Sequence, residues 1–169
     1  MMERKTIRKW FWVWEFDKEE QWLNTMAQSG WVLDSVGFCK YNFVKCEPGE
    51  YTVRLEMHDP DDEYVAFMEE TGAEFIGRMV KWIYFRKKAL DGPFEIFSDI
   101  DSRISQLDKI SKLTAALGFA NLAIGLANSF NPVTNVGWVN LIVCAVLMYG
   151  LGRIHSKKEV LEKERMVRE

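Results

Sequence analysis

Residues 113–152 read LTAALGFANLAIGLANSFNPVTNVGWVNLIVCAVLMYGLG, 40 consecutive positions without Asp, Glu, Lys, Arg or His. All 47 charged residues of the 169-residue chain fall in the other 129 positions. A bilayer core about 30 Å thick is crossed by roughly 17 to 25 apolar residues in a helix, so the stretch fits two spans and a turn. Asn131-Pro132, Asn135 and Gly137 supply turn chemistry in its middle, which predicts a transmembrane hairpin with spans over 113–130 and 136–152. The alternative is a buried helical hairpin of a soluble domain, but no other part of the sequence is large enough to cover both helices.

The flanks set an orientation. Arg103, Lys109 and Lys112 precede the first span, Arg153, Lys157 and Lys158 follow the second, and the turn between them has no cation. The positive-inside rule then predicts a protein of the cytoplasmic (inner) membrane with both termini in the cytoplasm and the lipid bilayer as its first partner. No cleavable signal is expected, because the aromatic run from Trp10 to Trp14 is short and leads at once into Glu15, Asp17 and Glu19. Cys39 and Cys46 suit a reducing compartment, and no CxxC pair occurs. Residues 153–169 carry six basic and four acidic side chains and read either as a charged extension of the second helix near the anionic leaflet or as a solvated tail.

The first 91 residues contain a weak repeat at an offset of 42: Asp17 and Asp59, Trp22 and Tyr64, Leu23 and Val65, Met26 and Met68, Gly30 and Gly72, Phe43 and Phe85, Lys45 and Lys87. Each half has helix-start chemistry at its aspartate, with Pro60 in the first helical position of the second, and a helix-stop glycine. Around these helices the apolar period changes to two over 8–16, 31–45, 51–57 and 80–87, with Glu47-Pro48-Gly49-Glu50 as a turn. The order predicts an α+β protein whose residues 1–91 form a ferredoxin-like βαββαβ domain on one antiparallel sheet, with both helices on one face.

If Phe11 and Val13 face the helices, as Val53 and Leu55 do at matching positions, the opposite sheet face gathers Trp10, Trp12, Trp14, Arg54, Trp82 and Tyr84 into one patch. Four occupants suit it: another part of the chain or a second copy, a protein partner, an amphiphile or lipid, and single-stranded nucleic acid. Nucleic acid is not expected, because the segment through Asp91 has 13 basic and 17 acidic residues.

After Gly92-Pro93 a stripe at alternating steps of three and four runs through Phe97, Ile100, Ile104, Leu107, Ser111, Thr114, Gly118, Asn121, Gly125 and Asn128. It predicts a connecting amphipathic helix over 92–112 that continues into the first span. Large apolar members lie on the water side and small or polar ones at membrane depth, because helices in lipid associate through close backbone approach and hydrogen bonds. The matching face is the second span, through Gly137, Asn140 and Cys144, or a second copy in a homo-oligomer. A small transporter or channel subunit assembled through this stripe is the alternative function.

Catalytic signatures are absent from the sequence. His58 and His155 have no partner at ligand spacing, no nucleotide, hydrolase or zinc motif occurs, and the acidic run Asp59-Pro60-Asp61-Asp62-Glu63 reads as helix N-terminal chemistry rather than a metal site. Neither metal, cofactor nor enzymatic activity is expected; the reading is a membrane-anchored, non-enzymatic binding or regulatory module.

The aromatic strand Lys9-Trp10-Phe11-Trp12, the helix ending Gly30-Trp31, the closing strand Trp82-Ile83-Tyr84-Phe85-Arg86-Lys87 and the two short spans together resemble the bacterial membrane protein family known as domain of unknown function 2812. The resemblance runs from about Arg8 to the end of the second span, and departs at Ala73, where many relatives would place an aromatic. It implies a small protein facing the inner leaflet, encoded beside PadR-type transcriptional regulators, with such a regulator or a membrane protein as partner. The resemblance brings no catalytic residues.

Overall fold

The computed structural model describes residues 3–59, 61–96, 100–130 and 136–168, which divide into two compact units with the boundary between Ile96 and Phe97. The expected turn at 131–135, Pro60 and the stripe's first member Phe97 lie outside the described residues. The first unit runs β1 (Arg4–Arg8), α1 (Phe16–Gln28), β2 (Trp31–Gly37), β3 (Lys40–Lys45), β4 (Tyr51–Met57), α2 (Asp62–Glu70), β5 (Glu74–Met79) and β6 (Trp82–Lys88). The second holds α3 (Ile100–Ser129) and α4 (Gly137–Arg168).

The α+β class is as expected, but the strands do not share one sheet. They form two antiparallel three-stranded sheets of identical topology, β1-β3-β2 and β4-β6-β5. Each is a strand, a helix and a hairpin whose last strand inserts between the first two. The repeat is therefore real, and its detail exceeds the sequence pattern. Both helices end on a left-handed glycine, Gly30 (φ 81°) and Gly72 (φ 86°). Both hairpins turn on two residues, Phe38-Cys39 and Val80-Lys81. The ladders skip a residue at Asp34 in β2 and at Ile76 in β5, again 42 apart.

The first strand breaks the offset. Arg4 faces Val44 in one sheet and Val53 faces Arg86 in the other, so the hairpins are 42 apart whereas the first strands are 49 apart. Seven residues, Lys9–Glu15, are extra in the first half, and they carry the aromatic run. The strand expected over 8–16 is thus an insertion ending in a 3-10 turn at Val13–Glu15, while the true strand is the polar Arg4–Arg8. An edge strand needs only one covered position, here the half-buried Ile7, so hydrophobicity does not reveal it.

The repeats are joined by side chains. In the sheet order β4 is an edge, and its outward backbone groups at Val53 and Leu55 would be orphaned on burial. α1 from the other repeat covers them: the Asn24 amide donates to the Val53 carbonyl (2.9 Å) and accepts from the Val53 N–H (2.9 Å), and Glu20 accepts from the Leu55 N–H (3.1 Å). Positions 20 and 24 are one helical turn apart and 53 and 55 one strand repeat apart, so the helix pitch matches the strand edge. At the Asp34 bulge, Arg86 donates to the Leu33 carbonyl (2.9 Å) while pairing with Glu74 (2.7 Å). The second repeat's core, Met68, Ala73, Ile83, Phe85 and Phe94, is completed by a residue from the segment expected to begin the connecting helix; that helix starts at Ile100 instead.

Replacing Asn24 with Ala leaves both Val53 backbone groups unpaired and is expected to destabilise the first unit by about 2 kcal/mol. Chemical unfolding followed by near-ultraviolet circular dichroism measures it, and an unchanged midpoint would show that the edge is satisfied without the amide.

Candidate functional site

The inserted segment makes a ladder of rings rising from core to solvent. Trp14 is 6% exposed, Trp12 stacked on it (5.0 Å) is 42%, Trp10 edge-on to Trp12 (5.4 Å) is 53%, and Phe38 edge-on to Trp10 (5.9 Å) is 77%. Phe38 sits at the β2–β3 turn, and Arg8 faces Lys40 just beneath it in the β1–β3 ladder. On the inner side Phe11 and Lys9 lie over Trp22, which packs edge-on against Tyr41 and Phe43. Each exposed ring thus rests on a more buried one, so the tip is held rigidly without being covered.

The six residues expected to share one sheet face do not. Trp10 and Trp12 are exposed at the tip; Trp14 is buried beneath them; Trp82 is buried in a stack with Phe16 (5.5 Å), and Tyr84 is wholly buried. Arg54 is half-buried, pairing with Glu20 (3.4 Å) and Glu95 (3.0 Å). The reason is the insertion: a loop carries the tryptophans, so their alternation is not a strand's and does not place them beside β6. Phe38 was missed because 31–45 reads as one strand; Gly37 inside that run is the signal that would have split it.

A second polar feature went unread. Glu19, on α1, is 7% exposed and accepts from the hydroxyls of Tyr41 (2.8 Å) in β3 and Tyr84 (2.7 Å) in β6, one from each sheet. Burial holds its carboxyl above the ordinary carboxylate range, with the two hydroxyls opposing the shift, and burial followed by the Glu19 charge pushes both phenols up. A second buried carboxylate, Glu56 of β4, accepts from Tyr64 (2.9 Å). The acidic run at 59–63 is spoken for: Asp61 caps α2 by accepting from the N–H groups of Glu63 and Tyr64, and Asp59 pairs with Lys81 (2.7 Å). Among the described residues no group of three or more candidate ligands could hold a metal ion.

In the second unit α3 and α4 are each long and apolar enough to cross a membrane, which makes this a candidate two-span membrane protein. They pair in a single heptad register: Asp101 meets Arg165 (2.9 Å), and seven residues on Asp108 meets Lys158 (2.6 Å), seven residues back. The same register, extended, puts Gly118 beside Met148, Gly125 beside Leu141 and Ser129 beside Gly137. Ile104, Leu107, Thr114, Gly118 and Gly125 of the predicted stripe are buried, and Asn121 and Asn128 are half-buried. Gly137 and Cys144 are buried, and Asn140 half-buried, on the opposing face. Outside this seam Leu117, Phe119, Ile124, Leu126, Ile142 and Val143 are exposed, an apolar surface suited to lipid. Asn121 donates to the Leu117 carbonyl of its own helix (2.8 Å), and the Thr114 and Ser129 hydroxyls likewise donate one turn back.

The family model described as "Protein of unknown function (DUF2812)" matches residues 15–119, from the end of the inserted segment into the first apolar helix. No curated protein and no solved structure gives a significant match.

Because the folded-state pKa of Glu19 lies above its unfolded value near 4.5, its protonated form is favoured by folding. That stabilisation is complete below pH 4.5 and is lost as pH rises through the raised value. Glu19→Gln, which still accepts from both tyrosines, should flatten the fall; unfolding midpoints taken from about pH 4 to 8 test it, and parallel curves would refute it. In the hairpin, a side chain at Gly125 would meet Leu141 Cδ2 at 2.8 Å. Gly125→Leu should therefore cost about 1–3 kcal/mol by overpacking, whereas Asn121→Leu leaves the thermal midpoint in detergent nearly unchanged.

Proposed function

The chain belongs to the family of proteins of unknown function DUF2812, and on that footing we propose that it is a membrane-anchored, non-enzymatic binding module whose recognition surface is the tip formed by Trp10, Trp12 and Phe38. The observation that carries this reading is the ladder itself. Rings of 42%, 53% and 77% exposure are stacked in order on a buried tryptophan, an arrangement that holds aromatic surface in water at a cost to solubility. Rigid tryptophans backed by a packed base are the usual energetic centre of a recognition surface, because little side-chain entropy remains to be lost on binding.

α3 and α4 serve as the anchor. The cations Arg103, Lys109, Lys112, Arg153, Lys157 and Lys158 flank the uncharged stretch on its two outer ends, which supports a cytoplasmic-membrane protein with both termini in the cytoplasm. On this reading the bound species is a PadR-type regulator, another membrane protein, a second copy or an amphiphile, and the protein acts by holding it at the membrane.

Trp10→Ala with Trp12→Ala should leave the first unit folded, since both rings lie outside its core, and should deplete whatever co-purifies with the full chain in mild detergent. Trp82→Ala is the contrasting variant: removing a buried ring should destabilise by about 3–5 kcal/mol. An unaltered set of co-purifying species in the well-folded double variant would sink the reading.

A further inference from the structure

The aromatic tip stands at one end of a strand pair whose positive charge the chain as a whole conceals, with Arg8, Lys9 and Lys40 at the tip end and Arg4, Lys5 and Lys45 toward the other. Residues 3–12 and 38–45, which make β1, the start of the insertion, the hairpin turn and β3, contain Arg4, Lys5, Arg8, Lys9, Lys40 and Lys45 against a single acidic residue, Glu3. The whole chain, these residues included, has a net charge of −3. All six cations are exposed, and among the described residues none pairs with a carboxylate. Elsewhere in the same unit Lys18, Arg54, Lys81 and Arg86 do pair with carboxylates, whereas, again among the described residues, Arg78, Lys87 and Lys88 do not. Lys5 and Lys45 bracket the Trp31 ring and Lys9 lies over Phe11, so three of the six are positioned by aromatic faces that leave their charge unneutralised. Arg8 and Lys40 are directly opposed across the ladder, next to Trp10 and Phe38. Like charges opposed on neighbouring strands are unfavourable, and an anionic surface lying against them relieves that cost.

We propose that this tip is a docking surface for an anionic lipid bilayer, with Trp10, Trp12 and Phe38 entering the headgroup region and Arg8 and Lys40 meeting lipid phosphates. The inference rests on the reading of the tip as a recognition surface and gives it one occupant. Tryptophan is the side chain best suited to a membrane–water boundary, having an apolar ring and one polar N–H. Each Lys or Arg close to an anionic leaflet adds an attraction that salt screens. Neither element is strong alone. A chain already anchored by two apolar helices meets the lipid surface at high effective concentration, so a weak contact suffices. A protein partner would be expected to offer carboxylates to the same cations, and it is separated from lipid by the test.

The test uses the full chain at one copy per lipid nanodisc, made either of phosphatidylcholine alone or with phosphatidylglycerol, and reads hydrogen exchange in peptides covering residues 8–16 and 36–42. Exchange several-fold slower in the phosphatidylglycerol discs, and restored by high salt, is the expected result. Arg8→Glu with Lys40→Glu should reduce the docked-to-undocked ratio by about fivefold or more per charge, and Trp10→Ala with Trp12→Ala should abolish the protection. Equal exchange in the two kinds of disc overturns the proposal, as does protection indifferent to salt. Protection seen only when discs carry two copies overturns it in favour of self-association. If lipid has no effect while the tryptophan variant still loses its co-purifying species, the tip is a recognition surface for a protein and only the lipid assignment falls.

Discussion

Two hydrogen bonds between one asparagine side chain and one strand residue close the open edge of the second sheet. The Asn24 amide reproduces toward Val53 the donor and acceptor pair that a neighbouring strand would have offered. Without it, β4 would bury an open edge, and the alternatives for an open edge are exposure, charge or pairing with another chain. Because α1 belongs to the first repeat and β4 to the second, the same bonds tie the two repeats to each other. Glu20 continues the seam to Leu55, and Glu19, next to it on the helix, gathers Tyr41 and Tyr84 from the two sheets. Three consecutive needs, an edge to cover, a helix to seat and a carboxyl to shield, are met within one turn and a half of α1.

The second unit obeys a different constraint with one pattern. The seam between α3 and α4 keeps its heptad register from Asp101 and Arg165 to Ser129 and Gly137, yet what fills it changes along the way. Ion pairs and large apolar residues serve at the charged end. Glycines serve in the uncharged stretch, where lipid removes the hydrophobic drive between helices and close approach must supply the attraction. Both helices extend well past the uncharged stretch at their charged ends.

The two tryptophans of the aromatic tip come from a segment with no match in the second repeat, and Phe38 joins them from the repeated β2–β3 turn. Lys9–Glu15 account for the seven-residue difference between the two offsets. The insertion carries three tryptophans, one anchoring in the core and two left in water.

From the sequence alone came the two long apolar helices, the heptad stripe with its buried Gly118 and Gly125, the α+β class, the repeat and its helix-stopping glycines, because each follows from local spacing: 3.6 for a helix, an uninterrupted apolar run for its length, a left-handed residue for a cap. Which strands share a sheet was decided in three dimensions. The polar segment Arg4–Arg8 becomes a strand only because β3 lies beside it, and the alternating run Trp10 to Trp14 fails to become one because it has no strand to pair with. For the same reason Trp82 and Tyr84 are buried while Trp10 and Trp12 are not: period two says that neighbours point to opposite sides, and only the packed structure says what lies on each side. Asn24 and Glu19 were unreadable for a related reason, since the groups they satisfy lie 29 and 65 residues away in the chain and no local pattern records them.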